Sequence, residues 1–174
     1  MRPENEAKLR KIRRISTLLR WVCKGLLALI VIGFVMATVA LLANRGGSVG
    51  YFDVWFRIGD LTLGHRLLVL ALSALTSAVW FMCIYHLHEL FGNYSLGQIF
   101  TRGSVGHLRQ LGIACVLWGA MKILWVGLSR ALSANPLGPT QVSAEIIPIG
   151  IIILVVAWFM EMAVDLQEEN ELTV

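Results

Sequence analysis

The hydrophobic residues of this chain are concentrated in four long runs, and polar segments separate each run from the next. Only Lys122 and, near the end of the last run, Glu161 carry a charge within them. A helix rises about 1.5 Å per residue, so about 20 residues cross a hydrocarbon core that is about 30 Å thick. The pattern therefore predicts four membrane-spanning helices, at residues 25–43, 67–85, 111–129 and 146–164.

The overall composition agrees with this pattern. The chain is 57% hydrophobic with a mean hydropathy of +0.72, which exceeds what a soluble domain of this size would carry. The first run is too long for the apolar core of a signal peptide, which is about 7 to 15 residues, and no small-residue cleavage site follows it. We therefore expect an all-α integral membrane protein with one four-span domain, residues 25–164. We expect a four-helix bundle in which small residues allow close helix approach, among them Gly112, Gly119, Ala74 and Ala78.

The distribution of basic residues predicts the orientation. The amino-terminal segment and the loop between spans two and three together carry ten lysines and arginines, whereas the first and third loops carry four. Short segments rich in these residues stay on the cytoplasmic side. Both termini are therefore predicted to be cytoplasmic.

The two ends of the chain carry opposite charges. In residues 1–24, apolar residues recur at helical spacing and basic residues occupy the other side, which predicts a surface helix that binds anionic lipid headgroups. The net charge of +4 belongs to this segment and does not indicate a nucleic-acid partner. Residues 165–174 form an acidic cytoplasmic tail, and we expect it to dock against the basic segment.

The first outer loop predicts a small β-hairpin that caps the helices on the outer side. Residues 51–57 alternate between two faces, and Gly59 with Asp60 offers a turn before a second apolar segment. Residues 141–143 could add an edge strand. An aromatic belt at the membrane surface is the alternative explanation of the aromatic residues in this loop.

The cytoplasmic loop and the tail contain the candidate partner-binding residues. Thr101 is suited to cap the amino terminus of a short helix that precedes span three. Acidic residues recur at helical spacing after span four. The set predicted to contact a partner is Phe100, Thr101, Arg109, Glu168 and Glu169.

No motif for catalysis, metal binding or a cofactor is recognisable. His86 and His88 lie about 200° apart on a helix and cannot chelate one ion together, whereas His86 and Glu89 share a face and predict a hydrogen-bonded pair. Cysteines fall in or beside the spans without metal spacing, which favours inert packing. Since no nucleophile or phosphate-loop motif is present, we expect a protein that is not an enzyme.

Lys122 and Glu161 are the candidate intramembrane polar residues. A charge inside a span faces other helices or extends toward the membrane surface, so either a contact with Glu161 or a snorkelling lysine is expected. Two functions follow. The first is a membrane regulator or scaffold that binds a partner through its cytoplasmic face. The alternative is a small carrier or channel subunit with a polar path past Lys122, Thr76, Ser73 and Ser77.

Two separated motifs resemble one known family, the bacterial four-helix membrane proteins of domain-of-unknown-function family 2975. The resemblance covers roughly residues 67–174 and rests on Leu90, Phe91, Tyr94, Gly97, Ile99, Phe100, Thr101, Leu108, Arg109, Leu111, Gly112 and the closing residues 166–174. It implies a multi-pass protein of the bacterial inner membrane. Some relatives are encoded beside small helix-turn-helix regulators, which implies a cytoplasmic regulatory partner. The resemblance leaves homo-oligomerisation open.

Overall fold

The computed structural model describes residues 3–43, 48–51, 54–57, 62–97, 101–131 and 146–172. Its helices, in chain order, each contain a stretch that is long and apolar enough to cross a membrane. The prediction of four spanning helices is therefore confirmed. Their bounds are α1 Pro3–Leu42, α2 Leu63–Ser95, α3 Arg102–Ala131 and α4 Ile146–Leu172.

The helices are longer than the apolar runs that predicted them. The basic amino-terminal segment and the first span belong to one helix, α1, whose 40 residues extend about 60 Å. The short helix expected before span three is likewise the first part of α3. Thr62 caps α2, since its side chain accepts from the backbone N–H of His65 at 3.4 Å. Gly97, with φ of 81°, follows the end of α2 in the left-handed region that favours glycine.

The helices pack in chain order. Helix α1 packs against α2, α2 against α3, and α3 against α4, whereas the described parts of α1 and α4 have little contact with each other. The helices of the predicted bundle are therefore arranged as an open antiparallel series, in which each packs mainly against its neighbours in the chain. Helix α1 consequently exposes a wide apolar surface, including Trp21 at 68% and Met36 at 66%, which suits contact with lipid.

Glycines bring α3 and α4 into close contact. A Cβ atom at Gly112 would lie 2.8 Å from Cγ of Leu154 and 3.1 Å from the backbone oxygen of Gly150. A Cβ atom at Gly119 would collide with Ile147. The prediction that Gly112 and Gly119 allow close helix approach is therefore confirmed.

The equivalent prediction for α2 is wrong. Ala74 and Ala78 are exposed and do not lie between helices. A spacing of four residues places them on one face of the helix, but it does not determine whether that face packs against another helix or faces lipid.

Helix α4 is displaced along α3. Ile147, in the first turn of α4, lies opposite Gly119, and Asp165 near its other end lies beside Arg102. Helix α3 therefore continues for about 12 residues, or about 18 Å, beyond the start of α4. Pro148 is tolerated because it lies in the first turn of α4, where the backbone N–H groups have no helical partner.

The apolar core lies between α1, α2 and α3. It contains Leu41, Val69, Trp125 and Val126, all of which are buried. The indole N–H of Trp125 donates to the Thr76 hydroxyl at 2.8 Å. Trp125 is thus held by a hydrogen bond as well as by packing.

A two-stranded antiparallel sheet lies between α1 and α2 in the chain. Strand β1 covers Ser48–Tyr51 and β2 covers Val54–Arg57, with Ser48 opposite Arg57. The alternating run of residues 51–57, which we expected to form one strand, is therefore divided between both strands. Strand β2 also contacts α3. The expected turn at residues 59–60 and the edge strand at 141–143 lie outside the described residues.

Candidate functional site

The candidate site is the end of the molecule where α1 begins, α2 ends, α3 begins and α4 ends. We call it the polar end, and in the described structure it comprises residues 13–24, 86–97, 101–109 and 161–172. Hydrogen bonds between side chains of different helices join α1 to α2, α2 to α3 and α3 to α4 there. The helix ends are therefore tied to one another by polar contacts as well as by apolar packing.

Arg20 joins α1 to α2. Its Nε donates to Nε2 of His88 at 3.4 Å, and Nδ1 of His88 lies 3.2 Å from the Arg20 carbonyl oxygen. A neutral His88 with its proton on Nδ1 satisfies both contacts. The Arg20 side chain lies beside Gly92, where a Cβ atom would meet its Cζ at 3.5 Å, an ordinary contact distance.

His86 joins α2 to α3. Its Nδ1 lies 3.1 Å from Nδ1 of His107, so one ring donates a proton and the other accepts it. The prediction that His86 and His88 point to opposite sides is confirmed, because His86 contacts α3 and His88 contacts α1. The hydrogen bond expected between His86 and Glu89 is replaced by the one to His107, a partner that lies 21 residues further along the chain.

Thr101 has the capping role that the sequence predicted. Its hydroxyl accepts from the backbone N–H of Ser104 at 3.3 Å and donates to the Ser104 side chain at 3.1 Å. Asn93, in the last turns of α2, donates to the same side chain at 3.4 Å. Thr101 is therefore engaged in fixing α3 to α2. Phe100, predicted to act beside it, lies outside the described residues.

Arg102 binds the acidic end of α4. Its Nε and Nη2 donate to the two carboxylate oxygens of Glu168 at 2.9 and 2.7 Å, and Nη2 also donates to Asp165 at 3.2 Å. This is the two-pronged geometry that arginine forms with carboxylates. All of these side chains are largely exposed, so salt screens the pairs and their main effect is to orient α4.

Arg102 was not among the residues selected from the sequence. The acidic tail was predicted to dock against the basic segment of α1, whereas Asp165 and Glu168 pair with α3. Asp165 and Glu168 are three residues apart and so lie on one face of α4. This spacing could have predicted that both carboxylates bind the same cation. Which cation they would meet depended on the packing order of the helices. Glu169, on the same turn, is exposed.

A cleft lies between α3 and α4 at the polar end. It has a volume of about 120 Å³ and contains Arg109 and Glu161, two of the predicted site residues. Its other lining residues are Arg102, Val105, Gly106, Val164 and Asp165. The cleft therefore combines two cations and two carboxylates with a partly apolar floor.

Lys122 does not belong to this cleft. Glu161 faces Gly106 across the cleft, and Lys122 follows Gly106 by 16 residues, or about 24 Å along α3. A lysine side chain cannot cover that distance, so of the two alternatives the contact between Lys122 and Glu161 is disfavoured. Lys122 is half-buried near the level at which α4 begins.

The polar residues suggested as a path through the membrane pack inside the protein. Ser73 and Thr76 are fully buried, and their hydroxyls donate to the carbonyl oxygens of Leu70 and Leu72 at 2.8 Å. Thr76 also receives the Trp125 hydrogen bond. The hydroxyls of Ser73 and Thr76 thus form hydrogen bonds within α2 and, for Thr76, with Trp125 of α3. These residues do not line an open passage there.

The cysteines are free thiols within the helices, as predicted. Cys83 and Cys115 line an apolar pocket of about 180 Å³ between α2 and α3, beside Trp80 and Trp118. Within the part of the chain that the structure describes, no three histidine, cysteine or acidic side chains are arranged to hold a metal ion.

The chain belongs to the family described as "Protein of unknown function (DUF2975)", whose model matches residues 19–174. The resemblance inferred from the loop and tail motifs is therefore confirmed. The match also extends further than those motifs, because it includes the apolar part of α1. Searches of curated proteins and of solved structures each found no significant match.

Proposed function

We propose that the protein is a non-enzymatic membrane regulator or scaffold that binds a soluble partner through its polar end. The observation that supports this is the set of exposed charged side chains that α3 and α4 hold together at the polar end. Arg102, Asp165 and Glu168 fix the end of α4 against α3, and Glu169 remains exposed beside them. A pre-ordered charged surface costs little entropy when a partner binds.

The proposal places the polar end in the cytoplasm of a bacterium, with the four helices in the inner membrane. The excess of lysine and arginine in the amino-terminal segment and the second loop supports this orientation. The antiparallel packing of consecutive helices puts both termini at the same end, in agreement with it. The sheet of β1 and β2 then caps the outer side.

The proposed partner is a small cytoplasmic regulator with a basic surface, of the helix-turn-helix type that the family resemblance implies. The surface proposed for it contains Phe100, Thr101, Arg109, Glu168 and Glu169. Glu168 and Glu169 would attract such a partner, since complementary charges raise association rates and set orientation. The basic residues 1–24 would meanwhile bind anionic lipid headgroups. Contact with nucleic acid would be made by the partner and not by this chain.

Site-specific labelling tests the orientation. In a variant whose native cysteines are replaced, Ser48→Cys in β1 should react with a membrane-impermeant maleimide in intact cells. Leu172→Cys, at the end of α4, should react only after the cells are permeabilised. The opposite labelling pattern would reverse the proposed topology.

Truncation after Leu166 tests the partner surface. It removes Glu168 and Glu169 but no residue of the predicted spans, so membrane insertion should persist. Retention of a co-expressed helix-turn-helix partner should fall by about tenfold, because charge pairs that become buried across an interface are worth a few kcal/mol. Arg130→Gln, at the other end of α3, is the matched control and should retain the partner. Equal retention by the truncated and intact proteins would contradict the proposal.

The alternative function, a small carrier or channel, draws on one observation, the half-buried Lys122 within an apolar helix. The neighbouring hydroxyls of Ser73 and Thr76 are buried and hydrogen-bonded, which gives this alternative less support. We expect Lys122→Leu to retain the cytoplasmic partner. Loss of a measurable solute flux in that variant, together with partner retention after truncation, would favour the carrier.

A further inference from the structure

The cleft between α3 and α4 lies where the apolar runs of both helices give way to charged residues. Arg109 precedes the apolar run of residues 111–129 by two positions, and Glu161 is the charged residue near the end of the run of residues 146–164, after 15 uncharged residues. Both helices therefore change from apolar to charged at this level. A ligand in the cleft would have its polar part among Arg109 and Glu161 and its apolar part beside the membrane-spanning surface.

The charges in the cleft are balanced but only partly paired. Arg102 is held by Asp165 and Glu168. Arg109 and Glu161 are exposed. Glu168 and then Asp165 have the larger effects in raising the pKa of the Arg102 guanidinium, and Glu161 lies close enough to raise it further. The cleft thus presents the guanidinium of Arg109 and the carboxylate of Glu161 at an exposed position.

We propose that this cleft binds the zwitterionic headgroup of an aminophospholipid, phosphatidylethanolamine. The guanidinium of Arg109 binds the lipid phosphate, and the carboxylate of Glu161 accepts hydrogen bonds from the primary ammonium group. Arginine suits phosphate because its planar fork matches two phosphate oxygens. Val105 and Val164 line the cleft beside the carbon atoms that join the two charged groups.

The pairing of charges decides between lipid classes. Phosphatidylglycerol carries a phosphate but no cation, so it brings no ammonium group to Glu161 and adds a second negative charge beside that carboxylate. Phosphatidylcholine is zwitterionic, but its quaternary ammonium has no N–H to donate and is bulkier. A volume of about 120 Å³ is slightly less than a cavity of about 150 Å³ that holds benzene, so it favours the smaller ethanolamine group.

Competition between lipids tests the inference on the full chain, purified in detergent and stripped of lipid. Phosphatidylethanolamine, phosphatidylcholine and phosphatidylglycerol with identical acyl chains are added together, and bound lipid is counted by native mass spectrometry. A hydrogen bond to a charged group raises affinity by about 10- to 100-fold over a contact without one. We therefore expect the ethanolamine lipid to bind about tenfold more tightly than the other two lipids. Arg109→Gln and Glu161→Gln should each abolish that preference.

The controls separate this site from general lipid binding and from the acidic part of the partner surface, Glu168 and Glu169; Arg109 belongs to both. Arg130→Gln, at the other end of α3, should keep the preference, and so should the chain truncated after Leu166. Circular dichroism checks that each variant is folded, and Arg109→Lys, which keeps the charge, should restore part of the selectivity. Preference for phosphatidylglycerol, or equal binding of all three lipids, would overturn the proposal. Equally tight binding of soluble glycerophosphoethanolamine would assign the cleft to a free metabolite instead.

Discussion

Replacing Gly150 with alanine should lower the free energy of unfolding by about 1 to 3 kcal/mol, the usual cost of overpacking a well-packed core. The new Cβ atom would lie 3.0 Å from Cβ of Cys115, 3.0 Å from the Gly112 backbone oxygen and 2.9 Å from Cγ2 of Val116. Two of these atoms move only if α3 itself moves. Helix α4 would therefore have to separate from α3. Unfolding in detergent mixed with increasing dodecyl sulfate measures the change.

Gly127→Ala is the matched control for this prediction. Gly127 lies in α3, and a Cβ atom there would meet no other atom within 4 Å. The same chemical change should there be neutral or stabilising by up to about 1 kcal/mol, because alanine is the better helix former. Equal destabilisation by both variants would show that the close approach of α3 and α4 does not limit stability.

The second large effect is expected at Trp125. Trp125→Ala should cost about 3 to 5 kcal/mol, the range found for deleting a buried aromatic side chain. Trp125 is fully buried between helices and packs with Leu41, Val69 and Val126. In a membrane the loss comes mainly from packing and from the hydrogen bond to Thr76, since lipid is as apolar as the core. The same dodecyl sulfate titration reports it.

Trp21→Ala and Thr76→Val separate the contributions to this effect. Trp21 is 68% exposed, so its deletion removes a side chain from the lipid-facing surface and should change stability by less than about 1 kcal/mol. Thr76→Val keeps the volume but removes the acceptor of the Trp125 N–H, which should cost about 1 to 3 kcal/mol. A loss at Trp21 as large as that at Trp125 would contradict the packing described for the core.

The four spans were predictable because membrane insertion depends on a property of consecutive residues. About 20 apolar residues in sequence are sufficient to identify a span, whatever the helix later contacts. The N-cap at Thr101 was predictable for the same reason, since its partners Ser104 and Val105 are neighbours in sequence. Gly112 and Gly119 were identified by their spacing on one face of a helix.

The candidate site was only partly predictable. Arg109, Glu161 and Glu168 were selected from the sequence, yet Arg102, His107 and Arg20 were not. Each of these depends on a partner from another helix, such as His86 for His107 or His88 for Arg20. Helical periodicity assigns a residue to a face but does not determine which helix covers that face.

The sequence by itself determined the number of spans, their approximate lengths, the balance of charge between their ends and the family to which the chain belongs. Tertiary structure alone decided the open order of packing, the displacement of α4 along α3 and the separation of Lys122 from Glu161. The physical reason is that an apolar helix is stable in lipid at many relative heights. Its height is set by specific contacts, here Gly112 against Gly150 and Arg102 against Glu168.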